Sequence, residues 1–180
     1  MIIAETTLTP VTGEYGYLLA LGGAYEWPPE WPYGWRCGPI GSDTAHIITD
    51  TDTGTITITV QTHDEPPPLQ SAPGWGPPEE ISLHATEDAP VLYILGTGDF
   101  WEAEPDDGPL RLPADRMPVW IRMRLYCHTA DPEPGIGDRG ERHLIQLWAA
   151  PEEPPVHPQP TASDLVLRRS YEEAQLSTDH

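Results

Sequence analysis

Apolar and polar residues alternate along much of this chain. In GTITITVQT (54–62), Ile56, Ile58 and Val60 point one way and Thr55, Thr57 and Thr59 the other. That pattern predicts a half-buried strand rich in β-branched residues. VWIRMRLYCH (119–128) sets Val119, Ile121, Met123, Leu125 and Cys127 against Trp120, Arg122, Arg124, Tyr126 and His128. EISLHA (80–85) sets Ile81, Leu83 and Ala85 against Glu80, Ser82 and His84, while RHLIQLW (142–148) and VLYIL (91–95) read as more deeply buried strands. Weaker candidates lie at 2–8, 14–21, 44–49 and 164–169, and TDTDTG (49–54) is short enough to join 44–49 to 55–62 as a hairpin. Pro-, Gly- and Asp-rich connections occupy 64–78, 104–118 and 131–140, and no segment sustains a 3.6-residue period. About nine short strands with turn signals between them predict an all-β chain, an antiparallel β-sandwich or jelly roll. We expect one such domain over 1–170, with 171–180 as a C-terminal tail.

One segment breaks the pattern. EWPPEWPYGW (26–35) repeats tryptophan at every fourth position, Trp27, Trp31 and Trp35, as a helix face would. Pro28, Pro29 and Pro32 lie between them, and interior prolines remove amide donors and clash with the preceding turn. An irregular, polyproline-like loop is expected instead. Tyr and Trp offer large contact area at low conformational cost, and proline stiffening lowers the cost of ordering on binding. Tyr25, Trp27, Trp31, Tyr33 and Trp35 beside Glu26 and Glu30 therefore suit a partner with basic side chains, through stacking and cation–π contacts. The competing reading makes the segment a lid over an open end of the sandwich.

Charge sharpens the picture of that partner. Of 180 residues 29 are acidic and 9 basic, all nine bases being Arg, for a net charge of −20. Between Arg36 and Arg111 no base occurs, while fourteen acids run from Asp43 to Asp107. Such a field repels phosphate backbones and anionic lipid and attracts cationic surfaces. Direct nucleic-acid binding is thereby disfavoured, and Asp50, Asp52, Asp64, Glu65, Asp106 and Asp107 join the aromatic segment as candidate partner contacts. No apolar run approaches a membrane span, and the start MIIAETTLTP lacks a basic, then apolar, leader pattern. With only Cys37 and Cys127, a reduced cytoplasmic protein is expected.

Catalytic signatures are poor. There is no nucleophile elbow, HExxH or P-loop. Cys127 and His128 are neighbours on a strand and face opposite ways, so Cys127 reads as a core residue. Asp50 and Asp52 in DTDTG resemble the opening of a calcium loop but lack its later ligands, and hairpin turns favour Asp and Gly in any case. His63, His84, His128 and His143 would have to converge for a cupin-like metal site, with no His-x-His pair to start one. No cofactor is expected. Arg122 and Arg124 read either as a clamp for a ligand carboxylate or, more simply, as surface pairs with the chain's own acids.

The segments VWIRMRLYCHTA (119–130) and ERHLIQLWAAPEEPP (141–155) resemble those of a family of acidic actinobacterial β-proteins. The layout and charge are also similar to the competence nuclease-inhibitor (competence protein J) family. That resemblance implies a small β-protein that inhibits a nuclease by direct binding, and no functional residue is carried over from it. The expectation is an acidic, non-enzymatic binding protein that neutralises a cationic nuclease or toxin. The alternatives are a metal-dependent jelly-roll enzyme and a carbohydrate-binding module whose tryptophans stack on sugar rings.

Overall fold

A computed structural model of the chain describes residues 1–13, 16–22, 36–96, 99–103, 105, 108, 110–128 and 135–158. They form twelve strands: β1 (Ile2–Leu8), β2 (Val11–Thr12), β3 (Gly16–Ala20), β4 (Cys37–Ile40), β5 (Thr44–Ile48), β6 (Gly54–Thr55), β7 (Thr57–His63), β8 (Glu79–Ala85), β9 (Val91–Gly96), β10 (Asp99–Ala103), β11 (Val119–His128) and β12 (Arg142–Ala149). No helix occurs among the described residues, and so none long and apolar enough to cross a membrane. Two five-stranded sheets, in the orders β1-β7-β12-β11-β8 and β10-β9-β3-β5-β4, pack through a shared apolar core. The all-β sandwich expected from the alternation is therefore present.

The alternation also fixes which residues meet. From the first sheet Ile58, Val60, Ile81, Leu83, Ile121, Met123, Leu125, Ile145 and Leu147 point inward. They meet Tyr17, Leu19, Ala45, Ile47, Leu92 and Ile94 from the second. Such interdigitation of two inner faces is the usual way sandwiches exclude water.

Three expectations need correction. The sandwich is not wholly antiparallel, because β12 runs parallel to β7, with Arg142 to Trp148 beside Thr57 to His63. The 49–54 stretch is not a hairpin: β5 belongs to the second sheet and β7 to the first, so this connection crosses between layers. Its backbone is held by partners distant in sequence, with the Asp52 amide donating to the Gly135 carbonyl (2.8 Å) and the Gly137 amide to that of Thr53 (2.7 Å). Finally, β4 and β10 were not anticipated. CGPI carries a Gly and a Pro, which are tolerated here because β4 is an edge strand. The expected strand at 164–169 and the tail 171–180 lie outside the described residues.

The Pro-rich segments 64–78 and 150–158 are not free loops. The outer face of the first sheet is crossed by a polar ladder running over all five strands. Gln61 Nε2 donates to Glu5 (2.6 Å), Gln146 Nε2 to Gln61 Oε1 (3.0 Å), and Arg124 Nε to Glu80 (2.6 Å). Arg124 stacks on Trp148 at 4.9 Å and donates to the carbonyl of Pro67 (2.8 Å), which belongs to the 64–78 segment. Farther along that segment, Trp75 meets the edges of Tyr126 and His128 and lies under Arg142. Gly74 makes the approach possible: it has φ +94°, and a Cβ there would come within 2.5 Å of the His128 ring. Segment 150–158 fastens to the β8 edge, where Val156 and Glu80 exchange backbone hydrogen bonds of 2.8 and 2.9 Å.

Candidate functional site

Among the described residues three carboxylates are buried, those of Glu141, Glu79 and Asp50. Glu141 is the deepest. Its two oxygens accept the amides of Asp50 (2.9 Å) and Thr51 (2.8 Å), and Oε1 also meets His143 Nε2 at 2.8 Å. The other ring nitrogen of His143 lies 2.8 Å from the Tyr17 hydroxyl, and Cys127 sits directly across the strand pair. Burial alone would raise the Glu141 carboxyl, but the His143 contact and the two amides bring it down to about 2. Burial likewise opposes charge on His143, yet Cys127, Tyr17 and Glu141 around it raise its basicity well above the usual histidine value. The Tyr17 hydroxyl is pushed upward, mainly by burial. The result is a buried ion pair that clamps the crossing at 49–54.

Glu79 and Asp50 act on the far side. The Glu79 carboxylate accepts the amides of Arg36 (2.7 Å) and Cys37 (3.1 Å), and Asp50 Oδ1 pairs with Arg36 Nη1 at 2.8 Å. At the other end of β5, Leu21 donates to the Asp43 carbonyl (2.8 Å) and accepts from Thr86 (2.9 Å) and Glu87 (3.1 Å). Leu21 and Arg36 flank the aromatic segment, so both of its attachment points are braced against the sandwich.

Nine of the thirteen sequence-predicted partner contacts are not among the described residues: Tyr25, Glu26, Trp27, Glu30, Trp31, Tyr33, Trp35, Asp106 and Asp107. Of the remainder, Asp64 and Glu65 are exposed at the end of β7, where both pair with the Met1 ammonium. Asp52 is half-buried on the 49–53 crossing. Asp50 is a correction: it is fully buried against Arg36, so it braces the scaffold and offers no surface to a partner. The ligand clamp is not formed either. Arg122 and Arg124 do share Glu80 (3.1 and 2.6 Å), as the cross-strand reading expected. They are not at a surface, however, being 2% and 7% exposed, and the Arg122 guanidinium also holds the carbonyls of Glu153 (3.0 Å) and Pro154 (3.1 Å).

The histidines proposed for a metal site disperse. His63 bonds Gln61 on the outer face, His84 stacks on Trp120, His128 lies against Trp75, and His143 is inside the core. Among the described residues no three candidate ligands come together. The sequence reading missed Glu79, Glu80 and Glu141 as structural acids. For Glu80 a signal existed, since the alternation of 80–85 sets it on the face that carries Arg122 and Arg124 in 119–128. Glu141 and Glu79 had none, because each acts on amides distant in sequence.

No protein-family model matches the chain, and no curated protein matches its sequence. Its fold does have counterparts among solved structures. The crystal structure of ComJ from Bacillus subtilis, an inhibitor of the DNA-degrading activity of NucA, matches with a TM-score of 0.55 at 10% identity, over 83% of this chain and 99% of that one. The product of crocagin biosynthetic gene J matches at a TM-score of 0.45 and 13% identity, over 81% of this chain and 96% of its own. The similarity to the competence nuclease-inhibitor family is thus one of fold.

Proposed function

We propose that this protein is an inhibitor that neutralises a cationic nuclease or toxin in the cytoplasm by occupying its basic active-site cleft. The observation that carries this reading is charge: fourteen acids and no base between Arg36 and Arg111, in a chain of net charge −20. Such a field accelerates encounter with a basic protein and repels the nucleic acid on which that protein acts. ComJ, named as an inhibitor of a DNA-degrading activity, supports the same reading by sharing the architecture over nearly its whole length. In this proposal Tyr25, Trp27, Trp31, Tyr33 and Trp35 are the anchor, and Glu26, Glu30, Asp52, Asp64, Glu65, Asp106 and Asp107 supply the complementary charge.

The test is a DNA-hydrolysis assay in which the purified chain is titrated against basic nucleases of its own source, those encoded beside it first. Stoichiometric inhibition is expected, with association slowing as salt rises, because charges beyond about 8 Å are screened at physiological ionic strength. Salt-insensitive binding to DNA itself, with no effect on any nuclease, would overturn the proposal.

A further inference from the structure

The two sides of the sandwich are finished differently. On one side the edge of β8 is partly covered: Glu80 exchanges backbone hydrogen bonds with Val156, and the His84 amide donates to the Ser42 carbonyl (2.6 Å). On the other side lies β1. Its register with β7 is regular from Ala4 to Leu8, after a bulge at Ile3. The amide of Ile56 donates to the Pro10 carbonyl, and the same register makes Leu8–Ile58, Thr6–Val60 and Ala4–Thr62 the hydrogen-bonded pairs. The peptide groups of Glu5 and Thr7 therefore point away from the sheet, and no described residue bonds to them.

We propose that this edge of β1, open among the described residues, receives an extended strand of the cationic partner, which would extend the sheet beyond β1. The inference rests on the inhibitor reading and names its docking surface. Three observations select the occupant. Glu5 lies on β1, Asp64 and Glu65 share the Met1 ammonium at its start, so that three acids there meet one cation, and neither β1 nor β7 contributes an Arg. Beside it, the gap between β1 and the β9–β10 hairpin is apolar, lined by Leu8, Leu92, Ala103 and Pro105 around about 20 Å³ of space. Ile2 and Ile3 are 48% and 55% exposed at its start. A strand alternating basic and apolar residues satisfies all three: its outward bases face Glu5, and its inward side chains cover the seam. A second copy of this chain would bring another −20 charges to the same edge.

Amide hydrogen exchange on the full chain tests this, with an octapeptide of alternating Arg and Val as the probe. Exchange at Glu5 and Thr7 is expected to slow at least 10-fold on adding the peptide. The same peptide N-methylated at alternate residues, and the Thr7→Pro variant, should show no such protection, while Glu5→Arg should weaken binding with the fold intact by thermal melting. Binding of the peptide with protection elsewhere would overturn the edge site and leave the inhibitor reading standing. Two outcomes with no peptide present would also overturn it. Protection that rises with protein concentration would mean a second copy on the edge, and protection lost on removing 159–180 would mean the chain's own tail. Failure of the inhibitor reading would show separately, as absence of nuclease inhibition by the unaltered chain.

Discussion

Glu141 shows how one buried carboxylate can organise a connection between sheets. Its charged form is held by His143 and by the amides of Asp50 and Thr51, so replacing it with Gln leaves His143 without its partner charge. We predict that Glu141→Gln costs about 3–5 kcal/mol of stability, as measured by urea unfolding. The pH dependence follows from the direction of each shift. The depressed Glu141 contributes stability that is full above the ordinary carboxylate value and is lost as pH falls toward about 2. The raised His143 contributes stability that is full below the ordinary histidine value and fades as pH climbs into the alkaline range. Acid unfolding of the unaltered chain should therefore steepen below the carboxylate range, and Glu141→Gln should remove part of that slope. An unchanged acid limb would contradict the pairing.

Among the elements, the Pro-rich segments do more than connect. The 150–158 segment is held on β8 and β11 by the Val156–Glu80 backbone pair and by Arg122, which donates to Glu80, Ser82, Glu153 and Pro154. Arg122→Ala is predicted to destabilise the chain by about 3 kcal/mol or more, because the shared Glu80 loses one of its two cations in a poorly solvated place. Limited proteolysis within 150–158 should accelerate in the same variant. The aromatic segment gives a sharper contrast. If it anchors a partner, at least one of Trp27, Trp31 and Trp35 is quenched by acrylamide in the free protein, and its change to Ala weakens binding by about 2 kcal/mol or more at little cost in stability. A lid would behave in the opposite way: no quenching, and a folding cost of about 3–5 kcal/mol for each truncation.

For the whole molecule, the expectation is a far-UV spectrum dominated by sheet, with helix below about 15% against a usual 30–35%. A helix-rich spectrum would contradict the architecture. At this scale the high acidity and the sandwich are related through placement. Glu79, Asp50 and Glu141 are spent inside, on amides and on Arg36 and His143, while Glu5, Asp64 and Glu65 remain outside along β1 and β7. The formal charge thus overstates what a partner meets, yet among the described residues the β1 side presents Glu5, Asp64 and Glu65 against the Met1 ammonium alone.

The period-two pattern by itself determined the fold class, most strand positions and the inward set from Ile58 to Leu147, because a pleated strand buries every second residue whatever its neighbours are. It also placed Arg122 and Arg124 on one face together. Tertiary structure alone decided that this face is covered, that 49–54 crosses between sheets, and that Asp50 is inside. Each of these depends on pairings such as Thr51 with Glu141 or Arg124 with Pro67, made between residues far apart in the chain. Local alternation carries no record of such pairings, since the same polar residue satisfies it equally well facing water or facing a distant carbonyl.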